Sequence, residues 1–347
     1  MLHTSSLKRI INTKPFFVAE ISANHCGSLK HAKKLILTAK QNGADAVKLQ
    51  TYTPDMMTIK ENKYKIKIGL WKNINLWNLY QEAHTPLEWH KELFLYAKKL
   101  NINIFSTPFN IEGLNFLKKL NCAAYKISSF EMNDLNLVKE VAITKKPIII
   151  STGLSNLSEI QKTFEIAKKY GNNDITLLYC VSNYPSDIND FNLNNIKILK
   201  ERFKCRVGLS DHSIGNEIAS LALAYGAEVF EKHIALKNQK KGHDIKFSAK
   251  GNEIRSYKEN LKKIYTIVRN DKFYRNKAEM KNRIFRRSIY CIKEIKRGDK
   301  FSINNIASFR PEIGLSTSFY PLLLGKKSPI NIKKNKVLSK NIIKYIN

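Results

Sequence analysis

Between residue 16 and about residue 235, short apolar runs alternate with stretches whose apolar residues recur at helical spacing. The run "FFVAEIS" (16–22) precedes "SLKHAKKLILTAKQNG", in which apolar residues keep to one face, and then comes "ADAVKLQ" (44–50). A polar segment, about 51–87, interrupts the alternation before the helical pattern "PLEWHKELFLYAKKL". The runs "INIFSTP", "AAYKISS", "KPIIIST", "DITLLYCVS", "CRVGLS" and "AEVFEKHI" follow, with helical patterns between them. Repeated strand–helix units with continuous apolar strands predict a parallel sheet with right-handed crossovers. Eight strands in this span favour a closed (β/α)8 TIM barrel over an open doubly wound sheet. The absence of a glycine-rich fingerprint after the first strand points the same way.

After the barrel come a helical stretch (251–270) and a charged connection, "DKFYRNKAEMKNRIFR". The last 60 or so residues change character to short β-like runs with turns. There "IKRGDKFSINNI" (295–306) resembles "IKKNKVLSKNII" (332–343), setting Gly298 where the second copy sets Asn335. Glycine and asparagine tolerate positive φ, so both copies are expected to use the same turn. The pattern predicts a barrel domain at 1–271, a linker at 272–286 and a small β-rich domain at 287–347.

Composition changes this picture little. A chain of 347 residues that is 43% hydrophobic, with 17 Phe and 15 Tyr, can bury such a core. No apolar run reaches membrane-spanning length, and "MLHTSSLKRIINTK" lacks a signal-peptide core, so a soluble, cytoplasmic protein is expected. Five scattered cysteines argue against a disulfide framework or a zinc ribbon. The charge is high, 60 Lys+Arg against 29 Asp+Glu, which can mark a nucleic-acid or glycan-binding protein without turnover. Here the basic residues are spread along solvated helix faces such as "IQKTFEIAKKY", with no basic–aromatic stripe, and no nucleic-acid partner is expected.

In a barrel of this kind the chemistry lies at the C-terminal ends of the strands, and every strand end here is polar. They supply Glu20, Asn24 and His25; Lys48 and Gln50; Ser106 and Thr107; Lys126, Ser129 and Glu131; Ser151 and Thr152; Ser182 and Tyr184; Ser210, Asp211 and His212; and Glu231, Lys232 and His233. His212 and His233 end neighbouring strands, roughly 5 Å apart, where two imidazoles can share one divalent ion and leave positions for water and substrate. Barrel closure brings Glu20 to the same corner. Lys48 and Lys126, with Thr107, Ser129, Ser151, Ser182 and Ser210, make a cationic, hydroxyl-rich floor suited to a phosphate or carboxylate. Glu131 can position a water or move a proton. A packing role is expected for Cys26. On strand eight, alternation should turn Glu231 and His233 inward together.

These motifs carry a resemblance. "AEISANHCGSL", "ADAVKLQTYTPDMMT", "FSTPF", "YKISSFE", "IISTGLS", "VGLSDHS" and "VFEKHI", in order along the chain, resemble the sialic acid synthase family. The terminal "RRSIY", "IKRGD" and "FRPEIGL" look like that family's antifreeze-like (SAF) domain. "KLQTYTPDMMT" and "LWKNINLWNLYQEAHTPLEWH" are most similar to its pseudaminic acid synthases. The resemblance implies condensation of phosphoenolpyruvate with an open-chain acetamido sugar, here 2,4-diacetamido-2,4,6-trideoxy-altropyranose, with C–O cleavage and phosphate release. Relatives acting on the N-acetylneuraminic or legionaminic acid precursor are the alternative. It further implies a divalent metal, commonly manganese, on His212 and His233. Lys48, Thr107, Lys126, Ser129, Ser151, Ser182 and Ser210 would surround phosphoenolpyruvate; Glu20, Tyr184 and Asp244 the sugar; Glu131 the reacting centre. Ser182 stands where sialic acid synthases carry Asn. Arg310 matches an arginine that reaches into the partner's barrel, implying a domain-swapped homodimer.

Overall fold

The computed structural model describes residues 14–61, 63–268 and 272–345. The segment read as lacking a signal peptide falls largely on residues 1–13, outside the described residues. Eight parallel strands form in chain order: β1 Phe16–Glu20, β2 Ala46–Thr51, β3 Asn103–Pro108, β4 Tyr125–Ile127, β5 Ile148–Ser151, β6 Ile175–Cys180, β7 Arg206–Asp211 and β8 Val229–Ala235. Each pairs with the next, and β1 closes on β8. The predicted (β/α)8 barrel is therefore the architecture of this region. A short ninth strand, β9 Ala249–Lys250, pairs in parallel with the end of β8 at Ile234 and Ala235.

The helices begin where the sequence offers caps. The Ser28 side chain accepts from His31 N at the start of Leu29–Gln41, and Asp134 accepts from Asn136 N and Leu137 N at the start of Leu135–Ile143. Asn156 and Glu159 form a reciprocal capping box ahead of Leu157–Lys169, satisfying backbone donors that the first turn leaves free. The helices lay their apolar faces on the strands, and Leu35, Leu93, Leu117, Val138, Ile160 and Leu199 lie in one core with the barrel. The polar segment between β2 and the helix Leu87–Lys99 is not a bare loop. It carries the short helices Pro54–Met57 and Leu76–Ala83 and a bridge between Lys65 and Asn75.

The chain divides into two compact units, one running to Arg269 and the next starting at Asn270. The second unit has its own core around Ile289, Ile295, Phe301, Leu323 and Leu338. Among the described residues its regular sheet pairs β10 Ser288–Cys291 antiparallel with β11 Ile306–Phe309. The two similar sequence copies meet across Ile295 and Ile332, whose backbones exchange hydrogen bonds of 2.9 and 2.7 Å. Gly298 (φ 93°) and Asn335 (φ 66°) both take positive φ, as their matched positions predicted. The charged connection contains the short helix Lys277–Lys281, started by Asn276 accepting from Glu279 N. Among the described residues no helix is long and apolar enough to cross a membrane.

Candidate active site

Strand register decides which side chains share the barrel interior. Glu20 on β1 lies opposite Lys48 on β2 and opposite His233 on β8. Ser210 on β7 lies opposite Glu231, while Asp211 lies opposite Lys232. Side chains alternate along a strand. Glu231 and His233 consequently share one side of β8, and Lys232 takes the other.

The interior residues form one buried ion cluster. Lys126 Nζ donates to Glu231 Oε1 at 2.7 Å, and Ser210 Oγ donates to the same oxygen at 3.1 Å. Lys48 Nζ pairs with Glu20, donates to Thr107 Oγ1 at 3.2 Å and lies 3.8 Å from Glu231 Oε1. Lys126 and Glu231 are only 2% and 4% exposed, so their ionisation is set by neighbours rather than by water. Burial alone would raise Glu231, but Lys126 and Lys48 pull it down to about 2. Burial raises Glu20 despite Lys48 beside it, and burial lowers Lys126. Burial works against Lys48 too, but Glu20 and Glu231 outweigh it and raise that amine. Lys48 and Lys126, with the Thr107 and Ser210 hydroxyls beside them, gather donors at one buried spot. Such a cluster favours an incoming anion.

Around it stand the hydroxyls. Ser129 Oγ accepts from Gly153 N at 3.1 Å. A Cβ on Gly153 would fall 2.3 Å from Ser182 Oγ and 2.8 Å from Ser129 Oγ, so glycine is what lets these hydroxyls draw together. Ser151 Oγ is buried without a hydrogen-bond partner, as is Glu231 Oε2. A buried polar atom left unpaired costs about 1–3 kcal/mol, and anion oxygens would relieve the Ser151 donor. Glu131 follows β4 and accepts from Ser128 Oγ. Burial pushes its carboxyl up to about 7.

The two histidines lie at the rim. Their ring centroids are 5.5 Å apart, the closeness expected of neighbouring strand ends. His212 Nδ1 meets Val181 O at 3.0 Å; a carbonyl only accepts, so Nδ1 carries the proton and Nε2 keeps its lone pair. His233 Nδ1 is buried without a hydrogen bond, 3.5 Å from Asp244 Oδ2. Burial opposes the charge of Asp244, but His233 and the Ser22 and Ala23 donors hold its carboxyl at about 2. Two free imidazole nitrogens beside a carboxylate suit a divalent ion. Among the described residues, no group of three or more His, Cys, Asp or Glu converges as an ion cage. The protein would thus supply two imidazoles and leave the remaining positions to water and substrate. Tyr184 packs its ring 4.5 Å from that of His212, and burial raises its hydroxyl.

The barrel thus brings Glu20, Lys48, Thr107, Lys126, Ser210 and Glu231 into direct contact, and His212, His233, Tyr184 and Asp244 into an adjoining group. Arg310 stands exposed in the second unit, just after β11. Cys26 departs from the packing role expected of it: it is exposed, in a left-handed backbone conformation (φ 51°) where the preceding 3-10 turn ends. His25 is buried, with Gly27 N donating to its Nδ1 at 3.1 Å. His243 lies 3.5 Å from Glu82. Sequence reasoning missed Gly153, Cys180, Trp71 and Phe247. Cys180 Sγ sits 3.9 Å from His212 Nδ1, and Phe247 meets both histidines edge to face. Gly153, a glycine directly after two hydroxyl residues at a strand end, was the one signal available. A cleft of about 560 Å³ lies at the opposite, N-terminal end of β5–β7, lined by Lys145, Asp174 and Arg206, and contains none of these residues.

The NeuB family pattern matches residues 35–272. The chain is 45% identical over 322 residues to the pseudaminic acid synthase of Campylobacter jejuni, covering 92% of this chain and 94% of that one. It is 44% identical over 328 residues to the pseudaminic acid synthase of Helicobacter pylori, covering 94% and 96%. Among solved structures, the N-acetylneuraminic acid synthetase of Leptospira borgpetersenii serovar Hardjo-bovis, in complex with citrate, matches with a TM-score of 0.71 at 32% identity, over 78% of this chain and 90% of that one.

Proposed function

This chain belongs to the NeuB family, and on that premise we propose that it is a pseudaminic acid synthase, joining phosphoenolpyruvate to 2,4-diacetamido-2,4,6-trideoxy-altropyranose in its open-chain aldehyde form. The observation that carries this reading is the buried Lys48–Lys126 pair with Glu231, set directly below His212 and His233 at the C-terminal rim of the barrel. Carbon 3 of phosphoenolpyruvate attacks the aldehyde carbon, making the new C–C bond while the aldehyde oxygen gains a proton. Water adds at C2, the C2–O bond breaks, and phosphate leaves with the former bridging oxygen. The product is a nine-carbon keto acid.

Lys48, Lys126, Thr107, Ser129, Ser151, Ser182 and Ser210 hold the phosphate and carboxylate, their charges and hydroxyls matching those oxygens. Glu20, Tyr184 and Asp244 face the sugar. Glu131, poised near neutrality by burial, handles the proton at the reacting centre. A divalent cation, manganese in this reading, would be held by His212 and His233 and would polarise the aldehyde carbonyl. The second unit is assigned as an antifreeze-like domain whose Arg310 serves the barrel of the other subunit in a swapped homodimer. The setting is cytoplasmic, where phosphoenolpyruvate is available.

The test is a panel of sugars with phosphate release as readout. Release should require phosphoenolpyruvate, a divalent cation and the diacetamido trideoxy sugar together, and phosphoenolpyruvate labelled with ¹⁸O at the C2–O bridge should put its label into phosphate. Equal turnover of N-acetylmannosamine or of the legionaminic acid precursor would move the assignment to that sugar. Label retained in the organic product would overturn the bond-breaking order. His212→Ala should remove cation-dependent turnover while leaving the barrel folded.

A further inference from the structure

The polar segment between β2 and the helix Leu87–Lys99 holds a compact turn ahead of the helix Leu76–Ala83. Ile66 N donates to Ile74 O at 3.0 Å, Asn73 N to Ile66 O at 2.8 Å, and Leu76 N to Tyr64 O at 2.9 Å, closing residues 64–76 into a hairpin-like loop. Gly69 (φ 77°) and Asn73 (φ 69°) supply the positive dihedrals the tight chain reversal needs. Trp71 sits at its tip, where its carbonyl accepts from Ile74 N at 3.1 Å. The indole ring lies 5.5 Å from the Tyr184 ring, which in turn lies 4.5 Å from His212. Tyr184 also packs 5.3 Å from Phe247, which reaches His233 at 4.9 Å. Trp71 is therefore the outermost member of an aromatic wall that continues onto the two histidines.

Its nitrogen is anomalous. Trp71 Nε1 is buried from solvent and has no hydrogen-bond partner. Trp77, a short distance along the chain, donates its Nε1 to Asp55 Oδ1 at 3.3 Å. Indole N–H groups ordinarily find an acceptor when buried, and an unmet one is destabilising. None of the rings in this wall is hydrogen-bonded to Trp71 Nε1. The missing partner is thus best supplied by a ligand. An uncharged acceptor able to sit against aromatic faces fits this donor. An amide carbonyl with its methyl group meets both conditions, because aromatic surface receives the methyl and the N–H meets the oxygen.

We propose that Trp71 forms an acetamido subsite: its indole N–H donates to the carbonyl oxygen of an acetamido substituent of the sugar, at the rim formed with Tyr184. The assignment rests on the acetamido-sugar reading above. It makes the loop 64–76 a determinant of which sugar is accepted.

Trp71→Phe keeps an aromatic ring and removes only the donor. KM for the diacetamido sugar should rise about 10-fold with kcat changed less than about twofold, and KM for phosphoenolpyruvate should not move. With the amine analogue, in which both acetamido groups are replaced by amines, wild type and variant should have equal KM. Unchanged KM for the diacetamido sugar in the variant, or an equal penalty with the amine analogue, overturns the subsite. The chain has three tryptophans, so Trp77→Phe together with Trp89→Phe leaves Trp71 as the sole emitter. Titration of that protein with the diacetamido sugar separates the two ideas. An emission change without turnover keeps the subsite and overturns the reaction. No emission change overturns the subsite even if turnover occurs.

Discussion

Glu231 and Lys232 are consecutive on β8, both buried, and live in opposite electrostatic worlds. Inside the barrel, Glu231 shares one oxygen among Lys126, Lys48 and Ser210, while its second oxygen has no partner. Outside, between the sheet and the helix Asn252–Val268, Lys232 Nζ lies 3.2 Å from Asp211 Oδ2 and donates to Ser213 O. Asp211 in turn accepts from Tyr257 OH at 3.1 Å and from Ser213 N and Oγ at 2.9 and 2.6 Å. None of the side-chain polar atoms of Asp211, Lys232 or Tyr257 is left unpartnered. The outer group is closed on itself, as a structural ion pair must be when desolvation opposes it. The inner group holds unmet donors and acceptors and a shifted set of ionisations, the mark of a site completed by something it binds.

Substituting each side in turn tests that division. Lys126→Met removes a cation that the inner group holds against its own burial. It should lower kcat/KM for phosphoenolpyruvate by about 10²–10³-fold, because the developing and transferred negative charge loses a fixed partner. Glu231 keeps Lys48 and Ser210, so the melting temperature should fall by no more than about 4 °C. Lys232→Met should do the reverse. It leaves buried Asp211 with its hydrogen bonds from Tyr257 and Ser213 but without a counter-ion, and should destabilise by about 3–5 kcal/mol, or roughly 10 °C in melting temperature. The surviving folded enzyme should keep kcat/KM within about threefold of wild type. Loss of turnover in fully folded Lys232→Met would show that the outer group, through Ser213, also sets His212, and the division would fail.

The sequence made the barrel legible because each strand is apolar on both faces, the pattern that helices on the outside and packed side chains on the inside require. It made Glu20, Lys48, Lys126, His212 and His233 legible because polar groups directly after such strands have few structural uses. Two kinds of feature escaped. Asp211 looks like a site residue in a string of letters, and only its register opposite Lys232, which alternation already turns outward, sends it to Tyr257. Gly153 and Trp71 act through space, the one by leaving room between Ser129 and Ser182, the other by a loop closure fixed by backbone bonds at Ile66 and Asn73. Trp71 leaves no signal in residue type or spacing, and Gly153 leaves only its place after two strand-end hydroxyls. Cys26 was misjudged for a similar reason: its apolar character suggested packing, but the turn after β1 needs a left-handed residue at the surface.

Glu131 gives the finest test, since it lies on the inner side yet outside the main ion cluster. Burial raises its carboxyl from the ordinary 4.5 to about 7. The sign follows from linkage: with a raised folded-state pKa, stability is full below about pH 4.5 and is lost as pH climbs through about 7. Glu131→Gln cannot ionise and escapes that loss. At pH 5 the variant and wild type should therefore melt within about 2 °C of each other. At pH 8.5 the variant should be the more stable by on the order of 2 kcal/mol, after discounting the full shift for the side chain's partial contact with water. Activity should move the other way. The wild-type pH–rate profile should have a limb near 7 that is missing in Glu131→Gln, together with a lower plateau. A variant more stable at high pH and unaltered in its pH–rate profile would leave Glu131 as a buried, unfavourable charge with no part in proton transfer. One with the profile changed and the stability unchanged would instead place its ionisation under the control of bound substrate rather than burial.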